Sequence, residues 1–443
     1  MEPVSSLKPP TRMMNWNFVL LWQGQVISQF GTQISRIAML FWLKHATESP
    51  SLMGAIAMFA GVIAVLLGPF GGALADRYPR RSIIIACDLI NGSAMITLSI
   101  LMFFAPTAQS WILVGIFIVS VLLSAVGSFF SPAISASTAD LVPKEKVAAA
   151  TSTLQASDQI SIRLGQAAGG TLFQILGAPF VLLIDGVTYL ISAFSECFVT
   201  IPQKLPEKNS DWRGRIREFM HDIWEGLNYV RANAGLAQLF LIVTLLNFFL
   251  AQILGLYPFY IEDHLKLGPD WYGYLLATLG CGVLVGYLLA GTIKVSGRSR
   301  SRLMVACMLL TAAMCGLLGV IESPMAVAAV TVVIGVVSGF LNVGVMTILQ
   351  ITTPSEIRGR AFGLLGALSG CLLPIGMGMA GLAASLNGKN IPQIYLFCGG
   401  CMTLVVIVAS NLSQLRAYLA FEPDDRRAEI SLDQESEKMV SAD

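Results

Sequence analysis

The chain has 443 residues, of which 55% are hydrophobic and only 12% charged. Soluble domains carry about 25% charged residues, and no single aqueous core needs this much apolar sequence, whereas a chain solvated by lipid does. The net charge of +1 supplies no global field for nucleic acid and excludes it as a partner.

Twelve apolar runs reach or approach the roughly 20 residues that a spanning helix needs. They lie at about 17–43, 51–75, 83–105, 110–137, 151–175, 178–200, 236–261, 271–293, 303–321, 325–350, 359–387 and 391–415. The predicted organisation is an all-α membrane protein with segment 1–16, a first six-helix bundle over 17–200, a linker over 201–235, a second bundle over 236–419 and a tail over 420–443. The first run is long and followed by many more, so it reads as a span and not as a cleaved signal peptide.

Between runs two and three stands "GGALADRYPRRS", residues 71–82. Gly71 and Gly72 would let neighbouring backbones approach closely. Asp76 sits at a helix C-terminus, where the dipole disfavours its charge. It therefore calls for a basic partner on another helix end. Arg77, Arg80 and Arg81 suit lipid headgroups or acids of neighbouring loops. An ion pair at such a junction can hold one conformation and break in another.

Ionisable groups inside spans are costly and are functional candidates by default. Six stand out, all in the first half: Arg36, Asp88, Asp158, Arg163, Asp185 and Glu196. Asp88 and Glu196 lie near span ends and are expected to reach water. Asp158 and Arg163 are five residues apart, about 140° around a helix, so they should not pair with each other. Arg36 and Asp185 share a depth and carry opposite charges, so they are expected to pair. Any coupling to protons should reside in Asp185, Asp158, Arg36 and Arg163.

The linker opens with "QKLPEKNSD". Ile216, Phe219, Met220, Ile223, Leu227 and Val230 then recur at helical spacing, which predicts an amphipathic helix on the membrane surface. The second half lacks mid-span charge. It offers Asn247, Phe248, Gln252, Tyr257, Asn342 and Gln350 as candidates for lining a substrate cavity. The tail beyond Phe421 is acidic and poor in apolar residues, and is expected to be disordered.

Lysine and arginine placement orients the chain. The loops on one side, with the termini, hold 23 of the 28 basic residues; the opposite side has Lys44, Lys266 and Lys389. Both termini are therefore expected in the cytoplasm of a multi-pass protein of the inner (plasma) membrane. The halves also repeat weakly: "LVPKEKVAAATSTL" after run four corresponds to "TTPSEIRGRAFGLL" after run ten. Two six-span halves with matching loops are the pattern of a parallel-repeat transporter.

Several signals carry no chemistry. Most of the eight cysteines fall in apolar runs and read as small packing residues, including Cys398 and Cys401 of "CGGC". "GMGMAG" at 376–381 fits a dinucleotide fingerprint but lies inside a predicted spanning helix, without the strand that motif requires. No Walker motif, metal-spaced histidine cluster or catalytic triad appears. No cofactor, metal or enzymatic activity is expected.

The 72–81 loop resembles the signature of the major facilitator superfamily, G-x-x-x-D-[RK]-x-G-x-[RK]-[RK]. Gly72, Asp76, Arg77, Arg80 and Arg81 match, and Pro79 replaces the usual glycine. "RLGQAAGGTL" at 163–172 is similar to the glycine motif of the superfamily's antiporters through Gly165, Gly169 and Gly170, without its proline. "DLVPKEK", "LIDGVTYLIS" and "IRGRAFGLLG" further resemble the macrolide-efflux branch, which includes siderophore exporters. The resemblance implies two six-helix bundles rocking about a central site, with Asp76 latching against basic groups around Arg358 and Arg360. It implies a drug:proton antiporter, acting as a monomer in the bilayer on amphipathic drug-like or natural-product molecules. A dedicated siderophore or lipid exporter is the alternative within transport; a non-transporting membrane sensor is the alternative outside it.

Overall fold

A computed structural model describes residues 12–203, 221, 224–293 and 295–421. The described residues are helical, with no strand. The long helices are α1 (Trp16–Thr47), α2 (Pro50–Arg77), α3 (Arg80–Phe104), α4 (Gln109–Leu141) and α5 (Val147–Glu196). They continue as α6 (Ala234–Gly255), α7 (Asp270–Thr292), α8 (Gly297–Leu317), α9 (Pro324–Thr352), α10 (Ser355–Leu386) and α11 (Ile391–Ser410), followed by the short α12 (Ser413–Ala420).

Local chemistry sets the ends. Asn15 caps α1 by accepting from the Phe18 amide at 3.0 Å, and Ser49 caps α2 through the Leu52 amide at 3.3 Å, with Pro50 at the first helical position. Inside α5, Gly177 adopts φ 75° and ψ 162°. That conformation suits glycine and breaks the 50-residue helix into two, at the boundary expected between runs five and six.

Among the described residues, ten helices are long and apolar enough to cross a membrane. That count takes 144–196 as one element in spite of its break. It omits α1, whose apolar sequence is diluted by Gln23, Gln25, Gln29, Gln33 and Arg36. Large apolar side chains stand open on these helices, such as Phe104 at 86% and Leu386 at 80% exposure. Soluble monomers rarely expose apolar area on this scale. The protein is a multi-pass membrane protein.

The chain forms two compact units. The first comprises residues 1–219, 251–277 and 370–394; the second comprises 220–250, 278–369 and 395–443. In the first unit, Met95, Leu98, Ile112, Ile116 and Leu182 form one core cluster, and Leu21, Ile84, Ala133 and Leu141 form another. The core of the second unit gathers Leu236, Leu239, Met304, Ile348, Leu349, Val406 and Leu419.

Some expectations fall on undescribed residues. The linker helix is described only at 221 and 224–232, which is helical apart from the gap, and the tail beyond Phe421 lies outside the described residues. Cys87 and Cys315 are buried, and Cys398 and Cys401 lie within α11. The 376–381 glycines sit inside α10, with no strand before them.

Candidate transport site

Asp185 in the second segment of α5 is 1% exposed. The Ser35 hydroxyl of α1 donates to its carboxylate, and Thr188 donates to its main-chain carbonyl at 2.7 Å. One turn away along α1, the Thr32 and Tyr189 hydroxyls meet at 2.7 Å. The expected ion pair with Arg36 does not form: no ion pair within 4.0 Å joins the two among the described residues. Helix geometry gives the reason. Ser35 and Arg36 are adjacent and so point about 100° apart. Ser35 faces α5 and is fully buried, which leaves Arg36 exposed on another face.

Asp88 and Glu196 also depart from expectation. Both are 1% exposed and do not reach water. They lie near span ends in sequence, but α3 and α5 pack along their length and cover both side chains. Gln25 donates to Glu196 at 3.3 Å and Ser192 does so at 3.4 Å. Asp88 Oδ2, Asn91 Oδ1 and Glu196 Oε2 have no hydrogen-bond partner among the described residues. Asp88, Asn91, Arg36 and Tyr189 line a small cavity of about 70 Å³.

Asp158 is placed differently. It is half-buried on the wall of a cavity of about 270 Å³ enclosed by α1, α4 and α5. Trp22, Gln25, Gln29, Phe130 and Gln155 share that wall. Arg163 is half-buried and, as its spacing predicts, makes no ion pair with Asp158.

The motif loop is clamped by its own unit. Arg80 bonds the Asp140 carboxylate and donates to the carbonyls of Ala75 and Ala136, both at 3.2 Å. Asp76 is half exposed and stands 3.9 Å from Arg80. Arg81 donates to the carbonyl of Cys197. Gly71 packs against the Ser128 carbonyl of α4, but Gly72 faces open space, contrary to the close approach expected of both. Consecutive helix positions point in different directions, and only one of the two can face α4. In the antiporter-like stretch, Gly165 meets Gln33 and Gly169 meets Ile37, so these glycines seat α5 against α1.

An ion cluster missed from sequence lies at the C-terminal end of α1. Lys44 Nζ reaches Glu262 at 2.6 Å and Asp263 at 2.7 Å, and its side chain is 7% exposed. His45 meets Glu262 at 2.9 Å. A π-helical turn over Tyr260–His264 presents the two acids. No local pattern marks this cluster, because its partners are 217 to 219 residues apart.

In the second unit, α6, α8, α9, α10 and α11 line a cavity of about 430 Å³. Its walls are chiefly apolar, with Leu246, Met308, Val345 and Phe362 prominent, and Asn247 and Asn342 both face it. The other candidates stand elsewhere. Phe248 packs edge-on against Phe249, with ring centroids 5.3 Å apart. Gln350 is exposed. Gln252 and Tyr257 are buried in the first unit, where the Tyr257 ring lies 6.2 Å from that of Tyr260. Arg358 donates to the Thr353 carbonyl at 3.3 Å, and Arg360 pairs with Glu225 at 2.7 Å.

The profile of the Major Facilitator Superfamily matches residues 21–375 and 257–429. Macrolide efflux protein A of Streptococcus pyogenes is 27% identical over 406 residues, covering 91% of this chain and 98% of that relative. The multidrug efflux pump Tap of Mycolicibacterium fortuitum is 24% identical, covering 86% of this chain and 92% of that one. Among solved structures, a bacterial homologue of the iron transporter ferroportin superimposes with a TM-score of 0.67 at 15% identity, over 89% of this chain and 98% of that chain. These likenesses extend over nearly the whole length.

Proposed function

The chain belongs to the Major Facilitator Superfamily, and from that premise we propose that it is a proton-coupled exporter of amphipathic drug-like small molecules. On this reading twelve spans in two six-helix bundles cross the plasma membrane, both termini are cytoplasmic, and a monomer works by alternating access. The second-unit cavity is the observation that carries it. A space of about 430 Å³ with apolar walls and two inward amides suits a molecule that is mostly apolar and needs orientation. The efflux relatives support the same class of solute.

Asp185 is the coupling carboxylate of this reading, seated between Ser35 and Thr188. The Asp76 loop serves as a conformational latch, with Arg358 and Arg360 as its basic counterparts in one state of the cycle; this rests on the loop's likeness to the superfamily signature. The Lys44 cluster, at the C-terminal end of α1, is a second latch on this reading. The test is accumulation of a fluorescent drug in cells expressing the protein, with and without a proton uncoupler. Expression should lower accumulation several-fold, and the uncoupler should abolish the difference. A difference that survives the uncoupler defeats proton coupling.

A further inference from the structure

The buried carboxylates of the first unit are not equivalent. Asp185 and Glu196 are sealed and held by hydroxyl and amide donors. Asp88 is sealed as well, apart from the 70 Å³ cavity that it lines. None of the three offers a face that a solute could reach. Asp158 is half-buried, fronts the larger cavity, and has no ion pair within 4.0 Å among the described residues. Arg36 acts on it through space only.

We propose that the cavity walled by α1, α4 and α5 is a subsite for an organic cation, the protonated amine or quaternary ammonium group of the transported molecule, with Asp158 as its counter-ion. The proposal rests on the transport reading and narrows its substrate class.

Three features of the walls favour such a group. A carboxylate without a contact ion pair in a partly dehydrated pocket gains from a positive partner that arrives with the solute. Trp22 and Phe130 add aromatic faces, which attract organic cations through their negative quadrupole. The Trp22 indole N–H is held by the Ser157 hydroxyl at 2.8 Å, which fixes the ring beside Asp158 in advance of binding. The remaining polar wall is neutral: the glutamines orient a head group without competing for charge.

Size points the same way. A cavity of about 270 Å³ falls below the roughly 300–1,000 Å³ that takes a whole drug-sized ligand, so it suits a head group and not an entire molecule. The second-unit cavity is the counter-example within the same chain. It is larger, and none of its lining residues is charged.

The test is fluorescence titration of the purified full-length protein in nanodiscs with ethidium, a cation, and Nile red, which is neutral. Wild type should bind both. In Asp158→Asn the ratio of the ethidium Kd to the Nile red Kd should rise at least tenfold, and Asp158→Glu should restore most of it. Trp22→Leu should raise the same ratio about threefold. Wild type that binds Nile red but not ethidium overturns the proposal and leaves the transport reading standing. So does an unchanged ratio in Asp158→Asn, or an unchanged ratio accompanied by loss of uncoupler-sensitive accumulation of both probes, which would make Asp158 a coupling residue. A tenfold ratio change in a protein whose accumulation ignores the uncoupler keeps the subsite and removes proton coupling instead.

Discussion

Two cavities, one in each unit, divide polarity between them. The first-unit cavity is small, rich in amides and hydroxyls, and carries a carboxylate. The second-unit cavity is larger and chiefly apolar, with Asn247 and Asn342 as its amide groups. The buried groups follow the same division. Asp88, Asp185 and Glu196 lie in the first unit, while the buried polar residues of the second are uncharged. On the proposed reading, charge handling and apolar accommodation fall to different parts of the chain. An amphipathic solute needs both. A cavity with a buried charge on every wall would reject its apolar body, and one with none would not orient it.

The largest break in this contrast should come from removing charge where it is sealed. Asp185→Asn keeps one oxygen to accept from the Ser35 hydroxyl, and Thr188 keeps the Asp185 main-chain carbonyl, so the fold should survive. An amide cannot exchange a proton, so uncoupler-sensitive accumulation should vanish while drug binding stays within about threefold. The readout is accumulation in proteoliposomes under an imposed proton gradient. Gradient-driven uptake at the wild-type level would remove Asp185 from the coupling path.

Next in size is the Lys44 cluster. Among the described residues, Lys44→Ala leaves Glu262, itself mostly buried, with His45 as its remaining ion-pair partner. Breaking such a mostly buried pair costs about 3 kcal/mol, the low end for buried ion pairs, because His45 remains. Glu225→Ala, which breaks the half-exposed pair with Arg360 in the second unit, should cost under about 1 kcal/mol. Thermal unfolding of both variants in one detergent measures the difference. Equal losses would mean that the first unit does not depend on buried charge more than the second.

Much of this contrast was legible in the sequence. Mid-span charges clustered in the first half, and amide and aromatic groups replaced them in the second. The helix break at Gly177 was signalled by Gly177–Pro179. What sequence position could not supply was azimuth. Asp88 and Glu196 looked near to water because depth was judged along the helix, whereas burial depends on which face packs. Arg36 and Asp185 matched in depth, but Ser35 and not Arg36 points toward α5. Of the six cavity candidates, Asn247 and Asn342 converge, because α6 and α9 turn those positions onto one space. The Lys44 cluster and the Arg80–Asp140 pair join residues 60 to 219 positions apart, and no spacing rule reaches that far.

A smaller effect should sharpen the second half of the contrast. Asn342→Leu removes one of the two inward amides from a chiefly apolar wall and keeps the branching and heavy-atom count of the side chain. A hydrogen bond to a solute is worth about 1 kcal/mol, so drug affinity should fall about fivefold where the solute presents a polar group to Asn342. A purely apolar dye should bind equally well or slightly better. Titration with both kinds of ligand separates orientation from accommodation. Equal loss for both would mean that Asn342 shapes the cavity and does not read the solute.

The smallest effect on stability should come from the motif loop, where stability and function part. Asp76 is half exposed and its 3.9 Å approach to Arg80 is a solvent-screened pair one turn apart. Such pairs contribute about 0.3 kcal/mol, so Asp76→Asn should leave the unfolding midpoint nearly unchanged. Arg80 keeps Asp140 and two carbonyl acceptors, so the loop should hold its shape without the acid. A latch is measured by rate and not by stability, because it biases one conformation of the cycle over another. Asp76→Asn should therefore slow export several-fold at normal membrane abundance. Arg80→Ala should do more damage, because it strands Asp140 and lowers stability as well. Asp76→Asn exporting at the wild-type rate would reduce the loop to a set of basic anchors, and the charge that matters in the first unit would then be the buried charge alone.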